Sequence, residues 1–340
     1  MPARSDNNKE YSLPVKVWIT GGIFALIVIL LLLLKATFSV LLLILAGSLI
    51  AVLFRGLSGL LQRKTGWSEG ICLTISILGT LVILVLLFWL LGAKVQAQVS
   101  QLTETLPSTI DKAKEQLNQS ALGQKIVEQV TSADSEKKAT SLVQTLFRST
   151  FGVLGDLYVI LFIGIFFTVS PKTYKNGIVQ LVPSGGKEKA TAIMEKLGEN
   201  LKKWLKGKLF AMLVVFILTS IGLVIMGIPM WLALALIAGI LNFIPNFGPL
   251  IAMIPAVLVG LLESPITAVW VAGLYLVVQV LESNFITPKV QQKLINIPPA
   301  MIIIAQLLIA PLTGAWGLVL ATPLLVIITV LLKELYISKQ

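Results

Sequence analysis

Histidine is absent from the 340 residues and Cys72 is the single cysteine, which excludes disulfides, Cys/His zinc sites and imidazole or thiol nucleophiles together. Cys72 lies among apolar residues and reads as inert packing. Acidic side chains are scarce: 16 Asp and Glu face 27 Lys and Arg, a net charge of +11. The lysines are interrupted by apolar runs and carry no interleaved aromatic pattern, so the charge argues for membrane topology and against a nucleic-acid partner. Ser184-Gly185-Gly186-Lys187 lacks the upstream glycine of a phosphate loop and its lysine is followed by Glu188, so it reads as a turn. Paired carboxylates, a metal cluster and an activated serine are all missing at workable spacing, which excludes an enzyme and leaves no cofactor to bind.

What the chain does have is apolar length. Hydrophobic residues make up 56% and charged residues 13%, with a mean hydropathy of +0.92, far from the quarter of charged residues usual in a soluble domain. The expected fold is an all-α polytopic integral membrane protein with about six full spans. The spans are placed at 17–34, 37–54, 71–92, 150–170, 208–227 and, more briefly, 266–281. This divides the chain into four regions: a three-span N-terminal membrane region (1–92), an extracytoplasmic helical insert (93–149), the fourth span with a basic segment (150–206), and a C-terminal membrane core (207–340). The first apolar run lacks a small-residue cleavage site and reads as a retained anchor.

Only Lys35-Ala36 separates the first two spans, which predicts a tight antiparallel pair. The basic residues then fall on one side: Arg4, Lys9 and Lys16, then Arg55, Arg63 and Lys64, then the nine lysines from Lys172 to Lys208. That side is the cytoplasm by the positive-inside rule, with both termini on it and 93–149 outside. Inside the insert, Leu102, Leu106, Ile110, Ala113 and Leu117 recur at helical spacing, and Pro107 suits a first turn. This stripe predicts an amphipathic subdomain used for packing.

Two further segments, 227–262 and 296–332, each begin at a proline-led start and are interrupted near the middle. Sliding one onto the other sets Ile228-Pro229 on Ile297-Pro298, Gly248 on Gly317 and Ala252 on Ala321, with Pro255 one residue from Pro323. Halves of roughly 12–16 residues reach roughly 17–24 Å, short of a bilayer of about 30 Å. Each copy therefore either crosses once as a broken helix or turns back as a hairpin, and the lysines at 289 and 293 favour hairpins. The expected tips are Pro245, Asn246, Gly248 and Pro249 in one copy and Pro311, Thr313, Gly314 and Gly317 in the other. Backbone freed at such tips has to be buried in protein or line a wet cavity. Span plus hairpin, repeated from the other face, would be an inverted repeat of the sort that supports alternating access.

The polar residues left in this apolar setting are the candidate transport site: Glu282, Gln279, Asn284, Asn242, Asn246 and Gln306, with Thr287 nearby. An intramembrane carboxylate is a functional hypothesis by default. Gln279, Glu282 and Ser283 share a helical face and could line a cavity; the alternative sets Glu282 at the water interface or against Lys289. Asn242 and Asn246 flank the first tip, where an asparagine either ligates a solute or caps the freed backbone; capping is the expectation for Asn246. Glu263 reads as a solvated loop charge and Asp156 as interfacial.

The run from Gly227-Ile228-Pro229 through Asn242-Phe243-Ile244-Pro245-Asn246-Phe247-Gly248-Pro249 to Ile254-Pro255-Ala256 resembles the autoinducer-2 exporter family of bacterial permeases. So do the later blocks Gln279 to Asn284, Thr287-Pro288, Gly314-Ala315-Trp316-Gly317 and Pro323. Lys208 stands where the family commonly has Gln, and Asn246 where it often has an aromatic residue, which leaves the substrate open. The resemblance implies a homo-oligomer in the inner membrane and export of autoinducer-2 in some members, sodium or proton exchange in others. The expected function is a permease exporting a small solute, coupled to a proton or sodium gradient through Glu282. A sodium/proton antiporter, and a non-transporting scaffold whose outer helices dock a partner, stand as alternatives.

Overall fold

The computed structural model describes residues 13–86, 89, 155–287 and 298–336. It is helical throughout these residues, and the chain is a multi-pass membrane protein. Helix α1 (Leu13–Thr65) is followed by α2 (Glu69–Leu86), then α3 (Gly155–Val169) and α4 (Pro171–Gln180). A single turn at Ser184–Gly186 leads into α5 (Lys187–Ile225). Next come α6 (Trp231–Leu241), α7 (Phe247–Glu263), α8 (Pro265–Leu281), a π turn (Glu282–Ile286), α9 (Pro299–Thr313) and α10 (Ala315–Leu335). By length and composition five described helices can cross a membrane, and six if the bent pair α3–α4 counts as one span.

The antiparallel pair expected at Lys35-Ala36 is not formed. Helix α1 runs unbroken for 53 residues, about 80 Å at 1.5 Å per residue. Lysine and alanine are both good helix formers and neither supplies a turn, so a lone charge between apolar runs does not reverse the chain. Placing 1–16 and 55–64 on one face depended on that reversal. The insert 93–149 with its stripe, and Lys289 and Lys293, lie outside the described residues.

Breaks elsewhere have identifiable causes. Helices α3 and α4 meet at 92° where Ser170 precedes Pro171, since proline offers no N–H and bars its predecessor from the helical region. Between α7 and α8, Ser264 caps α8 by accepting from the Thr267 N–H at 3.1 Å, and Pro265 fills the first helical position.

Helix α5 is the central strut, packing on α1, α6, α8 and α10. One apolar cluster joins α5, α6, α7 and α8 through Leu223, Leu234, Ala256 and Val271, all nearly inaccessible. A second joins α1, α3, α5 and α10 through Leu42, Ile160, Leu205 and Leu320. Lipid provides no hydrophobic drive between helices, so close approach through small residues matters most. A Cβ on Gly47 would fall 2.5 Å from the Ile163 Cγ2, and one on Gly164 2.6 Å from the Ile50 Cγ2, so α1 and α3 touch glycine against isoleucine in both directions. Arg55 adds a hydrogen bond from Nε to the Thr168 carbonyl at 2.9 Å. Large apolar side chains such as Ile254, Trp270 and Leu308 are left facing outward, as lipid contact requires. Cys72 is fully buried.

Candidate functional site

Both broken segments turn back as hairpins. In the first, Leu234 and Ala238 of α6 share one buried cluster with Ala252 and Ala256 of α7, and the two helices pack on each other. In the second, Ile302 and Ala305 of α9 pack against Leu325 and Ala321 of α10. The aligned alanines, Ala252 and Ala321, are both 0% exposed. The aligned glycines are equivalent too: a Cβ on Gly248 would strike the Leu241 carbonyl, and one on Gly317 would sit 2.9 Å from the Ile309 carbonyl. Each hairpin closes only because a glycine lets the returning helix lie against the backbone of the outgoing one.

The halves are less alike than the repeat predicts. Helix α10 has 21 residues, about 31 Å, and can cross a bilayer alone; α6, with 11, cannot. The second break lies at Gly314, whose φ is +66°, and not at Pro311, which is exposed and still inside α9. A proline in the last turn of a helix removes one hydrogen bond without reversing the chain, whereas a positive φ does reverse it.

The first tip meets the arms of the second hairpin. Gln306 of α9 is 0% exposed, and its Nε2 donates to the Pro245 carbonyl at 3.0 Å and to the Leu318 carbonyl at 3.5 Å. One side chain thus ties the first tip, whose Pro245 carbonyl also accepts from the Phe247 N–H at 2.8 Å, to both arms of the second hairpin. Around this tie, Trp204 of α5 meets Phe243 edge to face at 5.7 Å, and Ile309 and Trp316 join the same cluster. The Trp316 indole also donates to the Asp156 Oδ2 at 2.6 Å, anchoring the second tip to α3. Asp156, expected at the interface, is half-buried with a specific partner.

The remaining candidates separate into two groups. Asn242, at the end of α6, is 1% exposed and its Nδ2 has no partner; the Oε1 atoms of Gln306 and Gln279 are likewise buried and unpaired. Buried polar atoms nearly always find partners, so such unfilled positions need a reason. Glu282 is 6% exposed and accepts from the Thr287 hydroxyl at 2.7 Å. Asn246, by contrast, is exposed with φ +65°, and its side chain does not cap α7. The expected cap is therefore absent: the residue is the centre of a γ-type turn, φ 65° and ψ −47°, closed by the Phe247 N–H on the Pro245 carbonyl. Asn284 and Ser283 are also exposed and bond back to the Val280 and Gln279 carbonyls. The Gln279–Asn284 stretch does not present one polar face, because the π turn begins at Glu282 and rotates the residues after it. Glu263 is exposed, as a solvated loop charge should be.

A family model described as AI-2E family transporter matches residues 23–337. The chain belongs to that family. This AI-2E family member is 28% identical to the "Putative transport protein YueF" of Bacillus subtilis over 204 residues, 57% of this chain and 55% of that protein. It spans about half the length of YueF and of the permeases that match similarly. It is 22% identical to the AI-2 transport protein TqsA of Escherichia coli over 82% of each chain.

Composition alone could not single out Trp204, Asp156 and Trp316 as neighbours of the tips. Thr219 of α5 and Thr322 of α10 are further buried residues whose hydroxyls have no partner. Threonines in apolar helices ordinarily bond back to the preceding turn, so nothing in the sequence distinguishes these two.

Proposed function

We propose that this AI-2E family member is a permease of the bacterial cytoplasmic membrane that exports a small polar solute, autoinducer-2 or a related metabolite, along a path gated by its two hairpin tips. The observation that supports this most is the Gln306 bond to Pro245, which joins the tip of the first interrupted segment to an arm of the second. Breaking that single tie lets one hairpin move against the other, which is what alternating access demands. The unpaired Asn242 Nδ2 donor and the unpaired Gln306 and Gln279 acceptors suit a solute carrying hydroxyl or carbonyl groups. Glu282, a buried carboxylate one turn past Gln279, is the group through which a proton or sodium ion would be coupled.

The test is flux in proteoliposomes under imposed proton and sodium gradients, with autoinducer-2 as the trial solute, for the native chain and Glu282→Gln. Saturable flux that loses its dependence on the gradient in Glu282→Gln is the expected result. Identical coupling in the two proteins would refute the role of Glu282.

A further inference from the structure

Helix α3 shows an exposed stripe of Tyr158, Phe162, Phe166 and Val169 at four- and three-residue spacing, the face a span turns to lipid. The stripe ends one residue before Ser170, where the chain bends by 92° into α4. Spans tilt by only about 20° on average from the bilayer normal, so a helix leaving one at a right angle runs along the bilayer and not through it. With 10 residues, about 15 Å, α4 is also too short to cross. Its surface has three sides. Pro171, Lys175 and Val179 are half-buried at four-residue spacing, and the Lys175 Nζ donates to the Glu195 Oε1 of α5 at 2.6 Å. Lys172, Asn176 and Gln180 are exposed and polar. Tyr174, Ile178 and Leu181 are exposed and apolar; Leu181, in helical backbone at the C-terminal cap, is 85% exposed. One contact fixes the direction of this apolar side. The Tyr174 ring lies 4.5 Å, centroid to centroid, from that of Phe167 in the last turn of α3, so the side is turned back toward the layer that α3 crosses. The polar side, opposite on the helix, faces away from it.

We propose that α4 is an in-plane anchor on an anionic lipid surface, with Tyr174, Ile178 and Leu181 entering the boundary between headgroups and acyl chains. A short amphipathic helix binds such a boundary through its buried apolar area and its attraction to acidic headgroups. The charge fits that surface: residues 171–208 carry nine lysines against Glu188, Glu195 and Glu199. The anchor is tied inward as well. Glu195, which holds α4, is followed by Lys196, whose Nζ donates to the Glu334 Oε2 of α10 at 2.7 Å, so the membrane surface is linked through α5 to the second hairpin. This goes beyond the permease reading and does not depend on it.

Site-directed fluorescence of the full chain in vesicles tests this. In a Cys72→Ala background, Ile178→Cys and Leu181→Cys on the apolar side, and Asn176→Cys and Gln180→Cys on the polar side, each carry a bimane label. The vesicles are phosphatidylcholine alone, or three parts phosphatidylcholine to one of phosphatidylglycerol. The quenchers are iodide on both faces of the membrane, or lipid bearing a doxyl group high on the acyl chain. In anionic vesicles, doxyl lipid should quench the labels at positions 178 and 181 at least about twofold more than those at 176 and 180, and iodide should show the reverse order. Doxyl quenching at 178 and 181 should fall in neutral vesicles, and in anionic vesicles at about 0.5 M sodium chloride, where headgroup attraction is screened. Quenching of all four labels by iodide alone overturns the assignment, as does shielding of 178 and 181 from both quenchers, which a protein seated on the stripe would give. Equal doxyl quenching in neutral and anionic vesicles also overturns it. Either apolar position suffices should the other variant fail to fold. No readout involves transport, so failure of the permease reading would leave this result standing.

Discussion

Replacing Gly248 by alanine should cost far more than the size of a methyl group suggests. The new Cβ would meet the Leu241 carbonyl and lie 3.3 Å from the Asn242 nitrogen, so everything in its way is backbone at the end of α6. No side chain can rotate aside, and the hairpin has to open at its tip. Inserting one methyl group into a packed site costs about 1–3 kcal/mol when side chains can shift; a purely backbone obstacle belongs at the upper end, about 3 kcal/mol. At Gly317 the Thr313 Oγ1, 2.5 Å away, can rotate, and the Ile309 carbonyl atoms stand at 2.9 Å, a milder backbone obstacle than at Gly248, so alanine there should cost less, about 1–2 kcal/mol. Gly56 provides the control, because a Cβ there meets nothing within 4 Å and α1 should gain about 0.5–1 kcal/mol of helix preference. Thermal midpoints in detergent, followed by flux in vesicles, should therefore rank Gly56→Ala above native, native above Gly317→Ala, and Gly248→Ala lowest. A Gly248→Ala protein with native midpoint and native flux would refute the claim that this glycine closes the hairpin.

Removing the tie between the tips should affect flux more than folding. Gln306→Leu loses the bond to Pro245, a stability cost of about 0.6–1.7 kcal/mol for an interhelical hydrogen bond in a membrane, while flux should change by about tenfold or more as the closed arrangement loses its latch. Trp316→Phe keeps the ring in its cluster but strips the donor from Asp156; the midpoint should fall by about 1.5–3 kcal/mol equivalent, and Asp156→Asn in the same background should recover part of it. Equal stability of Trp316→Phe and native protein would show that the bond does not anchor the tip.

Much of this architecture was legible because membrane helices are written in long apolar runs and their interruptions in proline and glycine. Register between the two copies pointed to Gly248 and Gly317, and both prove to be sites where only a hydrogen fits. Other features were hidden for physical reasons. The position of a reversal depends on backbone dihedrals, so Gly314 at positive φ outranks Pro311, and Lys35-Ala36, with no turn residue, continues the helix. Which asparagine faces inward depends on the phase of the helix end: Asn242 still belongs to the last turn of α6 and is buried, whereas Asn246 stands at the exposed apex. The pairing of Asp156 with Trp316 joins residues 160 apart in the chain, and the packing of α5 on the π turn joins elements separated by three helices. Tertiary contacts of that kind leave no local pattern.

The most direct test of gating by the tips is to fasten them together and watch transport. In a Cys72→Ala background, Pro245→Cys and Gln306→Cys place two thiols where the first tip meets the second hairpin, and a short bis-methanethiosulfonate reagent can bridge them reversibly. Autoinducer-2 and cation flux should stop when the bridge forms and return when it is reduced. Unchanged flux in the fully bridged protein would contradict a path gated by the separation of these tips.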